Sequence, residues 1–285
     1  MLGHQFLQLL STTNHEVFFT SRNPQITSSK NHFNLDVTVN PEKVLGDLLE
    51  KSQPDYVINS IGLIKQLVNE KDLTDRINLI RVNAEFPHLL SRCLSGSKTR
   101  VIQIATDCVY SGQKGKYLED ALHDPVDLYG MTKSIGEIED ARFLNIRCSI
   151  IGLEKDKGKS LLAWVLRQGL GEEISGYLDH HWNGVTTVAF SKVVLGVIDG
   201  QQWKSGTYHL IPANDMNKYE LITLITEEFD RTDLSVKPIF TRSPIDRTIR
   251  TLHPEYSKLL WLGAGYSDIP KIESLVQEIG RRGRL

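Results

Sequence analysis

A chain of 285 residues, 40% hydrophobic and 24% charged, with a formal charge of −2, has an ordinary globular composition and the length for one large or two small cores. The near-neutral charge excludes a general polyanion-binding surface, so no nucleic-acid partner is expected, and no apolar run reaches the ~20 residues of a membrane span. Three widely spaced cysteines, Cys93, Cys108 and Cys148, form no disulfide framework and indicate a reducing, cytoplasmic compartment, while the nine histidines lack metal-ligand spacing, so no metal is expected.

The first two-thirds of the chain alternates helix and strand. Leu2, Phe6, Leu9 and Leu10 mark an opening amphipathic helix, and 17–20 is a short buried strand. Pro41 to Lys51 reads as a helix with Asn40 as its N-cap and proline first inside. A strand at 55–59 follows, then a long helix from Asn69 to Cys93 that Pro87 should bend. The β-branched run at 101–107 is a strand buried in a parallel sheet. Next come a helix from Tyr129 through Glu139 and a strand from Phe143 to Cys148. Such alternation predicts an α/β fold with a doubly wound parallel sheet.

After Gly152 the pattern loosens. Ser160 to Gln168 and Thr187 to Ile198 read as helices, and 171–183 as irregular. A further sheet strand spans 206–210. Helices at 218–229 and 270–280 flank a segment rich in arginine and proline, and the tail at 281–284 reads as a solvated terminus. The resulting division is 1–152 plus 186–211 in one domain, and 153–185 plus 212–285 in a smaller substrate-binding lobe.

Chemistry concentrates at two places. Tyr129 and Lys133 stand four apart on one helical face, so phenol and ammonium point the same way. A free tyrosine, with a pKa near ~10, needs a nearby cation before it can exchange protons at neutral pH. The 101–107 strand ends in Thr106 and Asp107, at the carboxyl end where open α/β sheets bind ligands. Thr106 could hydrogen-bond the oxygen that Tyr129 protonates. Its bland alternative is a turn or helix cap.

A dinucleotide fold opens with a strand and a glycine-rich turn before the first helix. Here the sequence opens already in the helix, and Gly3 alone could be the last glycine of such a turn. Met1 is therefore expected to be internal to a longer chain, since a sheet beginning at Val17 would lack the central strand its neighbours pack against. Weak cofactor binding by the chain as written is the corollary.

The ordered set Met1-Leu2-Gly3, Leu35-Asp36-Val37-Thr38, Asn59-Ser60-Ile61-Gly62, Asn83-Ala84, 106–112, 129–133, 147–152 and 183–187 resembles the extended short-chain dehydrogenase/reductases. Within them it is most similar to the dTDP-4-dehydrorhamnose reductase branch, across nearly the whole chain. The resemblance implies a Rossmann-type fold and an oxidoreductase that reduces a nucleotide-linked 4-keto-6-deoxyhexose with NADPH, NADH remaining open. Thr106, Tyr129 and Lys133 would be catalytic. Gly3, Asp36, Asn59, Ser60, Ile61, Gly62, Asn83, Cys148 and Ile150 would border the cofactor together with Tyr129 and Lys133. Ser21 and Arg22 follow the 17–20 strand in place of an acid, and arginine suits a 2′-phosphate. Asp107, Trp182, Asn183 and Arg247 would face the sugar nucleotide, Arg247 at the pyrophosphate. Trp164, spaced with Leu161 and Leu162, reads as core.

The chain departs from the branch at 61–66, where an alanine-rich run is usual, which leaves UDP-linked amino sugars open as substrates. A homodimer also stays open. The rivals are an epimerase or dehydratase, disfavoured because Asp107 is followed by Cys108 rather than glutamate, and a non-catalytic nucleotide-binding regulatory subunit.

Overall fold

The computed structural model describes residues 1–22, 30–154, 158–200 and 202–283. Arg284 of the basic tail lies outside them. The opening helix α1, Leu2–Leu10, buries Phe6, whose ring meets Phe190 edge-on at 6.2 Å. Strands β1, Phe19–Ser21, and β2, His32–Asn34, pair in parallel. Helix α2, Pro41–Ser52, has proline in its first turn as expected, but Asn40 is left-handed at φ 43° and makes no side-chain cap. Strand β3, Tyr56–Asn59, follows.

The long helix arrives in three pieces: α3, Leu73–Leu79, a π-helical segment Ile80–Glu85, and α4, Phe86–Cys93. Asp72 caps its start by accepting from Asp75 N at 3.0 Å. The widened turn lies immediately before Pro87, which has no N–H for the carbonyl four residues back. The disturbance is thus an inserted π segment upstream of the proline.

Strand β4, Arg100–Ile104, is followed by a 3-10 turn, Asp107–Val109, and helix α5, Leu128–Ile135, which stops at Gly136 rather than running to Glu139. Strands β5, Phe143–Arg147, and β6, Ile150–Ile151, lead to helix α6, Leu161–Leu166. Residues 173–182, expected to be irregular, form strands β7, Glu173–Tyr177, and β8, His180–Trp182. The strictly alternating burial of β7 is the period-2 signal of a half-buried strand, masked in the sequence by two glycines and charged neighbours. The chain continues through β9, Val185–Thr186, α7, Thr187–Asp199, β10, Gly206–His209, β11, Met216–Asn217, and α8, Lys218–Glu228. The arginine- and proline-rich segment contains β12, Ser235–Ile239, β13, Ile245–Asp246, and α9, Pro254–Gly263. The last helix, α10, extends from Ile272 to Gly283, so the expected solvated tail is helical that far.

The main sheet has the order β10-β5-β4-β3, all parallel. β1 and β2 form a separate parallel pair. Between this pair and the edge strand β3 lies a cavity of about 1020 Å³, bordered by Phe19, Thr20, Val57 and Ile58 and floored by Phe6 and Leu45. One core joins α1, α7 and α9 to one face of the sheet through Phe190, Val193, Leu260 and Trp261. A second, built on the other face, contains Leu45, Phe86, Leu90, Val101 and Phe143. A third packs Leu162, Val165, Ile174, Trp182, Leu221, Ile225 and Val276 around α8. Trp164 is not part of it: the residue is 38% exposed. Among the described residues no helix is long and apolar enough to cross a membrane.

Candidate active site

Parallel pairing brings the carboxyl ends of β3, β4 and β5 to one edge, and the predicted residues gather there. Thr106 leaves β4 in extended conformation and caps the 3-10 turn, its Oγ1 accepting from Cys108 N at 3.2 Å. The same hydroxyl donates to Asp107 Oδ1 at 3.2 Å. Thr106 is thus both a cap and a member of the polar cluster.

Helix α5 carries Tyr129 and Lys133 onto this turn. Asp127 caps it, accepting from Gly130 N at 2.8 Å. Gly130 lets it approach: a Cβ there would stand 2.3 Å from the Cys108 carbonyl oxygen and 2.8 Å from Pro125 Cβ. Burial pushes the Tyr129 phenol well above its ordinary range, Cys108 adds to the rise, and a hydrogen bond with Thr106 opposes it. Tyr129 therefore holds its proton at neutral pH. Burial pulls Lys133 down to about 8, against Glu137 and Cys148, which favour its charge. Its ammonium donates to the Ile104 carbonyl at 2.6 Å. Lys133 was expected to lower the phenol's pKa. The carbonyl at the end of β4 takes that bond, and the leading influences on Tyr129 are burial, Cys108 and Thr106.

The predicted cofactor residues form a connected band. A Cβ on Gly3 would lie 2.9 Å from Ser60 Oγ, so the start of α1 abuts the loop after β3. Asn59 stiffens that loop, accepting from Ile61 N at 3.2 Å while donating to Gln103 at 2.8 Å. Asn83 clamps its far end: the side chain exchanges two 2.9 Å bonds with the Leu63 backbone and reaches Thr132 of α5 at 3.4 Å. A Cβ on Gly62 would be 3.6 Å from the same Asn83. Asn83 acts through the loop rather than at its surface, being 1% exposed. Ser21 ends β1, and the exposed Arg22 follows it. Asp36 accepts from Thr38 Oγ1 and N, which hold its carboxyl below the usual range with Arg22 assisting. Cys148 is buried at the end of β5, its thiol pushed up by desolvation, and Ile150 pairs with Val185.

The predicted substrate residues divide. Burial raises the Asp107 carboxyl, opposed by Arg247, Thr106 and Lys218. Arg247 anchors its Nε on the Tyr110 carbonyl at 3.0 Å. Arg250 does not join it, being paired with Asp215, and Arg242 is exposed. Trp182 is buried, and its Nε1 donates to Ser149 at 2.7 Å. Asn183 is buried, and its amide donates to the Ile249 carbonyl at 2.7 Å and accepts from Ile249 N at 3.0 Å, which pins the two segments together. Two residues beside Asp107 were overlooked. Cys108 has its thiol raised to about 12 by burial, with Asp107 adding to it. Lys218, the first residue of α8, has its ammonium 5.0 Å from the centre of the Trp182 ring. A cation at a helix's positive end was the available signal.

This arrangement can hold a carbonyl oxygen between a threonine hydroxyl and a protonated tyrosine, with cations flanking it. The family described as RmlD substrate binding domain matches residues 1–265. The chain is 27% identical, over 62% of its length, to "Methionine adenosyltransferase 2 subunit beta" of Xenopus laevis, and spans 56% of that relative. It is 22% identical, over 94% of its length and 89% of the relative's, to "dTDP-4-keto-6-deoxy-D-glucose reductase" of Streptomyces niveus. The dTDP-4-dehydrorhamnose reductase of Bacillus anthracis, solved in complex with NADP, superposes with a TM-score of 0.74 at 19% identity, covering 99% of this chain and 95% of that one. The parallel α/β sheet is therefore of the Rossmann-like type found in that structure.

Proposed function

We infer function from the premise that the chain belongs to the RmlD substrate binding domain family: it reduces a nucleotide-linked 4-keto-6-deoxyhexose with NADPH, NADH being the alternative donor. The observation that carries this reading is the meeting of Thr106, Tyr129 and Lys133 where β4 and α5 converge. A relative named as a 4-keto-6-deoxyglucose reductase and a structural neighbour holding NADP support it.

The residues present fit a dinucleotide. Gly3 leaves open the space a Cβ would fill beside Ser60, and Arg22 is exposed at the end of β1, where its guanidinium would meet a phosphate. Gly3, Ser60 and Gly62 would border its middle, and Lys133 and Ile150 its nicotinamide half. When bound, the cofactor supplies the hydride. The chain does the rest: Thr106 orients the carbonyl oxygen, and Tyr129 Oη donates the proton that oxygen needs. Lys133 supplies a cation to the ribose side. Asp107 and Arg247 face the substrate. We assign 1–152 plus 186–211 to cofactor binding and 153–185 plus 212–285 to substrate binding. The absence of cysteine pairing in the sequence supports a cytoplasmic setting.

Tyr129→Phe tests the reading with a dTDP-linked 4-keto-6-deoxyhexose and NADPH. Turnover should fall by about 10²–10⁴, the scale for losing a general acid, with the thermal midpoint retained. Unchanged turnover in the folded variant would remove Tyr129 from the mechanism. A second reading, a nucleotide-binding regulatory subunit, is favoured by the 27% identity to the methionine adenosyltransferase subunit. It predicts cofactor binding by the wild-type chain without turnover on any linked keto sugar.

A further inference from the structure

Two neighbouring helices leave large apolar side chains in water. On α3 and into the π-helical segment, Leu73, Ile77 and Ile80 stand at i, i+4 and i+7 and are 68%, 40% and 47% exposed. On α5, Met131 and Ile135 stand at i and i+4 and are 47% and 60% exposed. Each set is a stripe along one side of its helix. The long helix already spends Val82 and Phe86 on the core beneath it. Hydrogen bonds at both ends join the two stripes into one surface. Glu70 Oε2 accepts from Leu128 N at 3.4 Å where both helices begin, and His88 Nε2 donates to the Ile135 carbonyl at 2.8 Å where α5 ends. The helices therefore lie side by side and run the same way. Exposed Leu and Ile are ordinary singly, but five such residues on adjoining helices mark an interaction surface.

The charges that bound the α3 stripe say what covers it. Asp72 precedes Leu73 and Arg81 follows Ile80, and both are exposed. Among the described residues neither forms an ion pair within the chain. Both are held in place: Asp72 Oδ1 accepts from Asp75 N at 3.0 Å, and Arg81 Nη1 donates to the Thr38 carbonyl at 3.2 Å. The stripe thus reads acid, apolar, apolar, base from one end to the other. Laid antiparallel on a copy of itself, it sets each acid against a base and each terminal aliphatic against another, in a single register. Laid parallel, it would set acid on acid. A two-fold contact, in which the same patch meets itself, supplies the antiparallel arrangement.

We propose that the outer face of α3 and α5 is the interface of a two-fold homodimer, with α3 antiparallel to its copy. Leu73 packs on the partner's Ile80, Asp72 pairs with the partner's Arg81, and Ile77 lies beside the axis, next to the partner's Ile77. Met131 and Ile135 widen the apolar area that the contact removes from water. Because α5 also carries Tyr129 and Lys133, each copy covers the outward side of the other's site-bearing helix. The assembly does not depend on the reductase reading.

Sedimentation equilibrium of the wild-type chain between about 1 and 100 μM should show a dimer, and its thermal midpoint should rise with protein concentration. Ile77→Glu sets two carboxylates together at the axis and should weaken the dimer at least about 100-fold, with the far-ultraviolet circular dichroism of the wild type retained. Cross-linking keeps the test open should that variant fold poorly. Ile77→Cys under mild oxidation by diamide should give a disulfide-linked dimer on a denaturing gel. Neither the wild type, with its own three cysteines, nor Glu50→Cys, exposed on α2, should do so. A wild-type chain that is monomeric at about 100 μM would overturn the proposal, and would point to a different partner for this face. So would a dimer that survives Ile77→Glu, or one in which Ile77→Cys cross-links no better than Glu50→Cys.

Discussion

At the residue scale, the site is governed by what burial does to each ionisable group. Lys133 is 8% exposed, and its pKa is lowered from 10.5 to about 8 chiefly by desolvation. The sign for stability follows. Between about pH 8 and 10.5 the unfolded chain keeps a proton that the folded chain has lost, so this residue makes stability rise with pH across that window. Relative to Lys133→Met, the wild-type protein should therefore gain in thermal midpoint from pH 7.5 to 10. A constant difference across that range would mean that the amine is not desolvated as described. The Tyr129–Lys133 spacing was legible because i and i+4 always share a helical face. Which group the ammonium touches was not, because Ile104 lies 29 residues away on β4.

At the element scale, Gly130 decides how close α5 comes to the turn after β4. On helix propensity alone, Gly130→Ala in the helix should stabilise by about 0.5–1 kcal/mol. The packing predicts the reverse, because the added methyl would stand 2.3 Å from backbone oxygen that cannot give way. We expect destabilisation of about 1–3 kcal/mol in urea unfolding, and at least tenfold lower turnover as Tyr129 withdraws from Thr106. A stabilised, active variant would show that α5 can move without consequence. Other elements repeat the contrast between local and distant signals. The helix cap at Asp72 and the disturbance at Pro87 follow from neighbouring residues. The strands at 173–182 and 235–246 were missed because β7 and β12 find each other across about sixty residues, and their edge-strand sequences are polar.

At the scale of the whole molecule, Glu119 ties distant segments together. Its carboxylate accepts from His209 N at 3.0 Å, Thr251 Oγ1 at 2.6 Å and Leu252 N at 2.7 Å. Its own carbonyl accepts from Arg147, which is paired with Glu137. Burial opposes ionisation of Glu119, but the Thr251 and Leu252 hydrogen bonds outweigh it and hold the carboxyl below its ordinary value. Its contribution is therefore full above the unfolded pKa of about 4.5 and is lost as pH falls through the lower folded value. Glu119→Gln should cost about 1.5–3 kcal/mol at pH 7, with the gap to wild type narrowing in acid. Urea unfolding at pH 7 and pH 3.5 checks this; a gap that does not narrow would contradict the network.

The sequence by itself determined the parallel α/β alternation, the shared face of Tyr129 and Lys133, and the threonine at the end of a buried strand. Each is a short-range property, set by periodicity and by the geometry of one element. Only the tertiary structure decided that Arg247 bonds the Tyr110 carbonyl while Arg250 pairs with Asp215, that Asn183 bonds Ile249, and that Lys218 lies over the Trp182 ring. Those outcomes depend on register between segments far apart in the chain and on desolvation by residues from both. Neither the register nor the burial is encoded in the spacing of neighbouring residues.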